Sequence, residues 1–221
     1  MYDRDYSGKT INFEASGGLI NSSLVMQDDE TNSYWAIMSG ESIAGKFKGT
    51  KLTELPVGEK MQWKEWVKKY PNTQVLSVQG KEQGFDSYRR YFKDSQGFRG
   101  QSAHDSRLKT KEPIFAFKHN GNAIAAAHRK LEGGAIFVLA DGSVFLYRRK
   151  GADLFESTSA FLSPTGFEKK DGTWVEKETG CSFDAASAAF AGDGECAARI
   201  GGFDTFWYNW SLNNPDTKLL K

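Results

Sequence analysis

The segment GGAIFVLADGSVFLYRRK constrains the possible folds more than any other stretch of the chain. Two apolar runs in this segment flank the pair Asp141-Gly142. Asp-Gly suits a type I′ turn, in which both central residues have positive φ, so the segment predicts a tight β-hairpin. A second pair, Asn120-Gly121, lies between strand-like runs and predicts another hairpin. With 23 glycines, 5 prolines and little helical periodicity, the chain is predicted to consist mainly of short strands joined by turns.

A sequence frame occurs twice, as WKEWVKKYPNTQVL from Trp63 and as WYNWSLNNPDTKLL from Trp207. Apolar side chains at helical spacing form a stripe in each copy, namely Trp63, Trp66, Val67 and Tyr70 in the first and Phe203, Phe206, Trp207 and Trp210 in the second. A proline follows each stripe and ends the helix, because the residue before it is disfavoured in α geometry. An extended apolar run follows the proline. Each copy therefore predicts a short helix, a proline stop and a strand. We favour core packing over a ligand-stacking platform for these tryptophans, with Trp63 and Trp207 buried in equivalent places.

The doubled frame predicts an internal duplication. The predicted fold is α+β, mainly β, with two related halves of short antiparallel strands, each ending in a short Trp-bearing helix plus a strand. The first half spans residues 1–95 and the second spans residues 112–221, with residues 96–111 connecting them inside a charged stretch from 80 to 112. One compact unit is expected because each half alone is thin in core. A further short helix is predicted within residues 184–199.

The charge balance limits the partners that the chain can bind. Its 29 basic and 28 acidic residues leave a net charge of +1, which argues against a nucleic-acid or anionic-membrane surface built on net charge. No run approaches the ~18 apolar residues of a membrane-spanning helix. We therefore predict a small molecule or a protein as the partner, with no nucleic acid and no membrane span. The opening residues, MYDRDYSGKTINF, contain no apolar signal region, so the sequence leaves the location open.

The sequence predicts no metal ion and no cofactor. Cys181 and Cys196 are not in a CxxC pair, and with three histidines they argue against a structural zinc site. These cysteines could form one disulfide in an exported protein or remain buried thiols. His128 is interpreted as a satisfied polar group at a strand end. The segment GESIAGKF matches the front of a phosphate-binding loop, but Phe47 stands where a hydroxyl must reach Mg²⁺.

The polar turn before Trp35 supplies candidate ligand-binding residues. Carboxylate and hydroxyl groups of the QDDETNS segment could line a pocket beside that ring, and the preceding EASGGLINSS segment adds further polar groups. The alternative is a polar hairpin turn with a purely structural role. The candidates are Ser16, Asn21, Asp28, Thr31, Ser33 and Trp35. No catalytic residue is assigned, because no histidine lies in a triad signature and no G-x-S-x-G is present.

Several motifs together resemble a known family. They are YDRDYSG, SGGLINSSLVMQDDETNSYW, GESIAG, GTKLTELP, WKEWVKKYPNTQVLS, DSRLKTKEPIFAF and FWYNWSLNNPDT. These stretches are similar to the bacterial proteins grouped as domain of unknown function 3179, most specifically from Tyr2 to Ser77. The resemblance implies a common fold and no activity. Members often carry an export leader, so it also implies an extracytoplasmic location.

The chain departs from the family pattern in three places. Ile37 stands where a glutamine is usual, and Asp29 stands where an arginine is expected, which would alter a polar site around Trp35. The Cys-Pro segment that usually precedes the Tyr-Asp-Arg motif is not in this sequence, as expected of a truncated form or of a lineage without that segment. No metal or redox role is therefore carried over from the family.

The functional prediction is a non-catalytic module that binds a small molecule, a glycan or a protein. One alternative is a hydrolase-like enzyme with a polar pocket near Asp28 and Trp35, and another is a purely structural subunit. A closed, buried Trp35 with Asp28 capping a turn would rule out both pocket hypotheses together. A cleft in which a titratable group meets a hydrogen-bonded partner would favour an enzyme.

Overall fold

The computed structural model describes residues 1–56, 58–77, 79, 88–154 and 156–221 of the 221-residue chain. Within them the fold is mainly β, with several small, mostly antiparallel sheets and three short α-helices, which confirms the predicted fold class. The strands are β1 (Asp5–Tyr6), β2 (Lys9–Thr10), β3 (Phe13–Ile20), β4 (Ser23–Asp28), β5 (Tyr34–Ala36), β6 (Glu41–Ala44), β7 (Pro113–His119), β8 (Asn122–Ala127), β9 (Ala135–Leu139), β10 (Gly142–Tyr147), β11 (Ser159–Ser163), β12 (Phe167–Lys170), β13 (Thr173–Glu176), β14 (Ser182–Asp184), β15 (Ala189–Ala191), β16 (Phe203–Phe206) and β17 (Lys218–Leu219). The helices are α1 (Trp63–Lys69), α2 (Arg89–Lys93) and α3 (Trp207–Asn213).

The strands form five sheets in the described part of the chain. β1 and β2 form a two-stranded ribbon, β3 to β6 pair consecutively, and β9 to β11 and β12 to β15 form two further consecutive sheets. The central sheet has the order β16-β7-β8-β17. In it β16 is antiparallel to β7, and β17 is parallel to β8. A hairpin from the middle of the chain is thus flanked by two strands from its C-terminal end.

The central sheet is buried on both faces. Successive side chains of a strand point to opposite faces, so Ile114 and Ala116 lie on one side of β7 and Phe115 and Phe117 on the other. The first face packs against the tryptophans of α3. The second face packs against apolar residues of β10 and β11. This two-sided core fixes β16, which carries part of the candidate site described below.

A cluster of phenylalanines joins β10 and β11 to the sheet of β12 to β15. The Phe145 ring lies at its centre, with ring centroids 5.0 Å from Phe183 and 5.4 Å from Phe190. Large rings bury much apolar area per residue, so this cluster is a second core. Cys181 is buried in it and forms a disulfide with Cys196. The structure thus contains the bridge that the sequence left as one of two possibilities.

Both predicted hairpins are present. Asn120 and Gly121 join β7 to β8 with φ values of 48° and 76°, which is the geometry expected of a type I′ turn. The second hairpin differs from the prediction in register. Leu139 pairs with Gly142, so Ala140 and Asp141 are the central residues of its turn, and Asp141 does not have positive φ.

The doubled Trp frame forms two helices in very different environments. Both helices form and end before a proline, as predicted. The stripe of the second copy is wrong at its start, because Phe203 and Phe206 lie in β16 and α3 begins only at Trp207. The prediction that both tryptophans are buried is wrong for Trp63, which is 54% exposed, whereas Trp207 is 0% exposed. Helix α1 contains no buried residue, because nothing covers its outward face among the described residues. The internal duplication is not confirmed.

Two further local predictions differ from the structure. The apolar run after the first proline forms no strand between residues 74 and 77, and Val78 lies outside the described residues. The short helix predicted within residues 184–199 is absent, since β14 and β15 form a hairpin at its start, with Asp184 paired to Ala189. The alanines there are small enough to lie in either structure, and pairing with the aromatic core selects the strand.

The charged stretch from 80 to 112 is only partly described, whereas the predicted connection of residues 96–111 lies wholly within the described residues. Residues 80–87 lie outside the described part of the chain, and the residues that follow form α2 and a single 3₁₀ turn at Phe98–Gly100. Within the described residues, no helix has both the length and the apolar character needed to cross a membrane.

Candidate functional site

The turn before Trp35 is closed by its own hydrogen bonds. The Asp28 carboxylate is buried and accepts bonds from Thr31 N at 2.6 Å, Thr31 Oγ1 at 2.8 Å, Ser33 N at 3.1 Å and Trp35 Nε1 at 2.8 Å. Trp35 is 2% exposed and packs edge-on against Phe13. Asp28 therefore holds the turn between β4 and β5 in the manner of an Asx cap.

The same bonds explain the acidity of Asp28. Burial favours the neutral acid, but the hydrogen bonds from Trp35, Thr31 and Ser33 favour the charged form and lower the pKa of Asp28 below its ordinary value of 3.8. The carboxylate is thus ionised at neutral pH, and its acceptor capacity is used inside the turn. A carboxyl group that acts as a general acid or base would need the opposite, namely a raised pKa and an oxygen atom that is free to contact the substrate.

The remaining two candidates lie apart from this turn. Ser16 Oγ donates to Val25 O at 2.6 Å across the β3–β4 pair. Asn21 is exposed, and its Nδ2 donates to Leu212 O at 3.1 Å near the end of α3. The structure thus brings four of the six candidates together and leaves Ser16 and Asn21 elsewhere. A ligand-binding role for these six residues stays a prediction. The buried Trp35 ring and the turn capped by Asp28 count against a pocket beside Trp35.

A larger concave surface lies between α1 and the central sheet. It consists of two adjoining depressions of about 660 and 390 Å³, which we call together the joint cleft. One wall comes from residues 55–70 apart from the undescribed residue 57, and the opposite wall comes mainly from residues 156–159 and 199–204. Four residues border both depressions. They are Glu59, Lys60, Ser157 and Arg199.

Backbone contacts fix the two walls to each other. Lys60 N donates to Ser157 Oγ at 2.7 Å, and Ser157 N donates to Lys60 O at 2.9 Å. Beside them, Gln62 Nε2 donates to Asp153 Oδ2 at 2.7 Å. These bonds join the chain just before α1 to the segment before β11. The cleft is therefore pre-formed at its centre, as small-molecule sites usually are.

A buried polar network lies beneath the cleft. Asp204 on β16 accepts bonds from His128 Nε2 at 2.9 Å and from Thr158 N and Oγ1 at 2.9 and 2.6 Å. Arg148, just after β10, lies with its Nη1 3.4 Å from Asp204 Oδ1 and donates to the carbonyl oxygens of residues 153 and 156. Burial opposes ionisation of Asp204, but the bonds from His128 and Thr158 hold the pKa of Asp204 below its ordinary value. His128 is thus a satisfied polar group at the end of β8, as predicted from the sequence.

The geometry of this network is not that of a nucleophilic triad. In a triad the acid orients the histidine and the histidine in turn contacts the nucleophile, so the bonds run in series. Here Thr158 and His128 both bond to the same carboxylate, Asp204. Their bonds converge, which is how a buried charge is neutralised and four chain segments are joined. The network is therefore a structural support for the floor of the cleft.

The carboxylates of the joint cleft are nearly all paired. Glu59 accepts from Lys69 Nζ at 2.6 Å and from Tyr70 Oη at 3.0 Å. Glu65 pairs with Lys68 at 3.3 Å, and Glu156 accepts a bidentate contact from Arg149. The acidic side chains that border the cleft are thus occupied by partners within the protein.

Two cations of the cleft differ from the others. Arg149 binds Glu156 through Nε at 3.1 Å and Nη2 at 2.6 Å. Lys60 and Arg199, by contrast, each reach only a backbone carbonyl oxygen, at 3.5 Å, and neither has a carboxylate within 4.0 Å in the described part of the chain. Both border the two depressions, so their charges remain available to a bound molecule.

An aromatic pair forms part of the wall. Trp66 and Tyr70 of the α1 segment have ring centroids 4.6 Å apart and both line the larger depression. Trp66 Nε1 donates to Thr73 Oγ1 at 2.8 Å, which fixes the orientation of the indole. The sequence-based preference for core packing is therefore wrong for α1, whose stripe includes an exposed Trp63 and a cleft-lining Trp66.

The phosphate-binding-loop match and the possible metal ligands of the sequence do not form a site in the described residues. After β6, GESIAGKF continues into turns and no helix begins in residues 45–56, so the strand-loop-helix setting of a phosphate-binding loop is absent there. The described residues contain no group of three or more His, Cys, Asp or Glu side chains that could hold a metal ion. Sequence reasoning did not single out Lys60, Ser157 or Arg199, because no motif links three positions so distant along the chain.

The described residues form a mainly β protein of several small sheets with a cleft between α1 and the central sheet. Comparison with known proteins identifies its family. The family model described as "Protein of unknown function (DUF3179)" matches residues 1–217 of the chain, and the chain belongs to this family. The match confirms the resemblance noted in the sequence motifs. No curated protein and no solved structure matches the chain.

Proposed function

We propose that the protein is a non-catalytic module that binds a small molecule in the joint cleft. One observation carries this proposal: the cleft is a pre-formed concavity whose shared border has hydrogen-bonding and charged groups not used in internal pairing. These groups are Lys60, Arg199 and the Ser157 hydroxyl proton. Pockets that combine an apolar wall with a few convergent polar groups are the usual form of a ligand site.

The geometry gives less support to catalysis. Asp28 and Asp204, two of the carboxylates buried in the described part of the chain, both have a lowered pKa and accept several hydrogen bonds from their own surroundings. An enzyme of the hydrolase type needs an acid, base or nucleophile with a free reacting edge at the cleft. A binding role needs only shape and unpaired donors, which the joint cleft offers.

A blocking substitution tests the proposal. Gly58 lines the larger depression, and a side chain there would meet no atom within 4 Å of its Cβ, so Gly58→Phe should fold and occupy the cleft. Gly194→Phe is the matched control, because its Cβ would meet only Thr179 at 3.9 Å and it lies outside the cleft. Saturation-transfer NMR would be run with both variants against a set of sugars, sugar acids, nucleotides and amino acids.

We expect at least one compound to bind the wild-type protein and Gly194→Phe and to lose its signal with Gly58→Phe. Retention of native circular dichroism by Gly58→Phe verifies that the loss is local. Equal binding by all three proteins would place the ligand elsewhere, and binding of no compound to the wild-type protein would remove the proposal.

A further inference from the structure

The charges that border the joint cleft do not cancel. Five cationic side chains and four carboxylates line it among the described residues. Three of those carboxylates pair with three of the cations, and the fourth, Asp204, is neutralised from beneath by Arg148 and hydrogen-bonded by His128. The uncompensated cations are Lys60 and Arg199. The cleft therefore has an excess of positive charge in a protein whose overall net charge is only +1.

The position of Lys60 and Arg199 favours a single anionic group that contacts both cations over two separate anions. Lys60 and Arg199 both border the larger and the smaller depression, as does Ser157 between the walls. Ser157 Oγ accepts a bond from Lys60 N, so its proton is free to be donated to a ligand. The two cations offer donors only, and the Ser157 hydroxyl adds one free donor on the same border of the two depressions. A carboxylate, which only accepts, is the complementary group.

The wall beside these donors has a different character. Trp66 and Tyr70 line the larger depression together with apolar residues, among them Pro56 and Ile200. An aromatic wall suits a ligand with a flat or apolar face, and the C–H faces of pyranose rings are of this kind. A ligand that satisfies both parts of the cleft has an anionic group next to a ring with such a face.

We propose that the ligand is a carboxylated sugar, with its carboxylate at Lys60 and Arg199 and its ring face against Trp66. This inference deepens the function proposed above and rests on it. Phosphate would also meet the donors, but inorganic phosphate has no apolar face for the aromatic wall. A neutral sugar would meet the wall and leave the two cations without a partner.

Isothermal titration with three probes tests the inference. The probes are trigalacturonate, the neutral trisaccharide maltotriose and inorganic phosphate. The double variant Lys60→Ala/Arg199→Ala removes the two cations of the cleft, and Lys46→Ala/Lys48→Ala is its control. The control removes the same net charge from two exposed lysines that form no ion pair within the described chain and do not line the cleft.

We expect trigalacturonate to bind the wild-type protein more tightly than either other probe. Loss of one charge-assisted contact weakens binding by about tenfold or more, so the cleft variant should lose most of the affinity while the control keeps it. The affinity for trigalacturonate should also fall as salt rises, because exposed charges are screened. A salt-independent affinity or equal losses in both double variants would contradict the role of Lys60 and Arg199.

Helix α1 offers a second matched pair for the ring contact. Trp66→Ala removes an indole that lines the cleft, and Trp63→Ala removes an exposed indole three positions earlier that does not. Trp66→Ala should weaken trigalacturonate binding by about fivefold or more with Trp63→Ala unchanged, since stacking on an aromatic ring contributes about 1 kcal/mol or more per contact.

The outcomes separate this inference from the proposed function. Equal binding of maltotriose and trigalacturonate, or of phosphate and trigalacturonate, overturns the carboxylated sugar and leaves a binding cleft in place. Failure of every probe here, together with a positive result in the Gly58→Phe screen, has the same meaning. Failure in both experiments removes the proposed function as well.

Discussion

Two buried carboxylates show how single residues maintain this fold. Asp28 closes the turn before Trp35, and Asp204 joins β16 to the ends of β8 and β10. Each is surrounded by donors, so each stays ionised in a setting where an unpaired charge would be costly. Their stabilising effect therefore depends on the charge, and it can be measured by changing pH.

Asp28→Asn tests this dependence. The pKa of Asp28 is lower in the fold than its ordinary value of 3.8, so the fold gains stability from this group above that pH and loses it as the pH falls toward the lowered pKa. Asp28→Asn should lower the free energy of unfolding at pH 7 by about 1–3 kcal/mol. It should also reduce the loss of stability between pH 5 and pH 2, measured by urea unfolding.

The adjacent residue provides the control. Asp29 is exposed, and its carboxylate has no hydrogen-bond partner among the described residues. Asp29→Asn should therefore change the free energy of unfolding at pH 7, and its loss between pH 5 and pH 2, by no more than about 0.5 kcal/mol each. If Asp28→Asn retained the full acid sensitivity of the wild-type protein, the ionised cap would be the wrong explanation of the turn.

The sequence indicated the residues around Trp35 but not the direction of their polar groups. A carboxylate three residues before a threonine can bind a ligand or its own turn, and the choice depends on backbone dihedrals that no pattern of residue types specifies. Asn32 adopts a φ of 57° in this turn, which brings Thr31 and Ser33 within reach of Asp28. Hydrogen-bond geometry is therefore the part of the site that sequence reasoning could not supply.

Helices α1 and α3 show that the same frame can serve two purposes. The spacing of Trp63 and Trp66 equals that of Trp207 and Trp210, and both helices form as predicted. Their environments differ, because α3 lies on the central sheet and α1 lies over the cleft. The sequence did contain a signal for this difference: α1 has four charged residues, and α3 has none.

Paired truncations measure the difference between the helices. Trp207→Ala removes a fully buried ring whose Nε1 also donates to Asp105 O at 2.7 Å, so it should cost about 3–5 kcal/mol of unfolding free energy. Trp63→Ala removes an exposed ring and should cost less than about 1 kcal/mol. Chemical denaturation of both variants gives the comparison. Similar costs would mean that α1 is covered as α3 is, contrary to the structure.

At the scale of the whole molecule, the disulfide closes a loop that borders the cleft, because Ala185, Ala186 and Ala188 line the smaller depression. Cys181–Cys196 closes a short loop in the phenylalanine-rich core, with a sequence separation of 15 residues. Disulfides persist in oxidising compartments. We infer that the protein functions outside the cytoplasm. The charge and length of the chain could not indicate a cellular location, and the spacing of the two cysteines was compatible with either a disulfide or free thiols.

The redox state of the two cysteines tests this inference. A loop of 15 residues implies a loss of about 3 kcal/mol when the bridge is removed, so Cys181→Ser/Cys196→Ser should unfold at lower urea than the wild-type protein. Dithiothreitol should destabilise the wild-type protein and leave the double variant unchanged. Protein taken from its native cells with alkylation before reduction should carry no label; labelled cysteines would contradict the inferred location.

The order of strands in the central sheet has a consequence for synthesis. The β7–β8 hairpin is complete at Ala127, but the strands that pair with its two edges begin only at Phe203 and Lys218. A chain made from its N-terminus thus presents an apolar hairpin with both edges open until β16 has emerged, and with the β8 edge open until β17 has emerged. Open apolar edges pair with other chains, so we expect the newly made chain to be prone to self-association until Leu220 reaches the core.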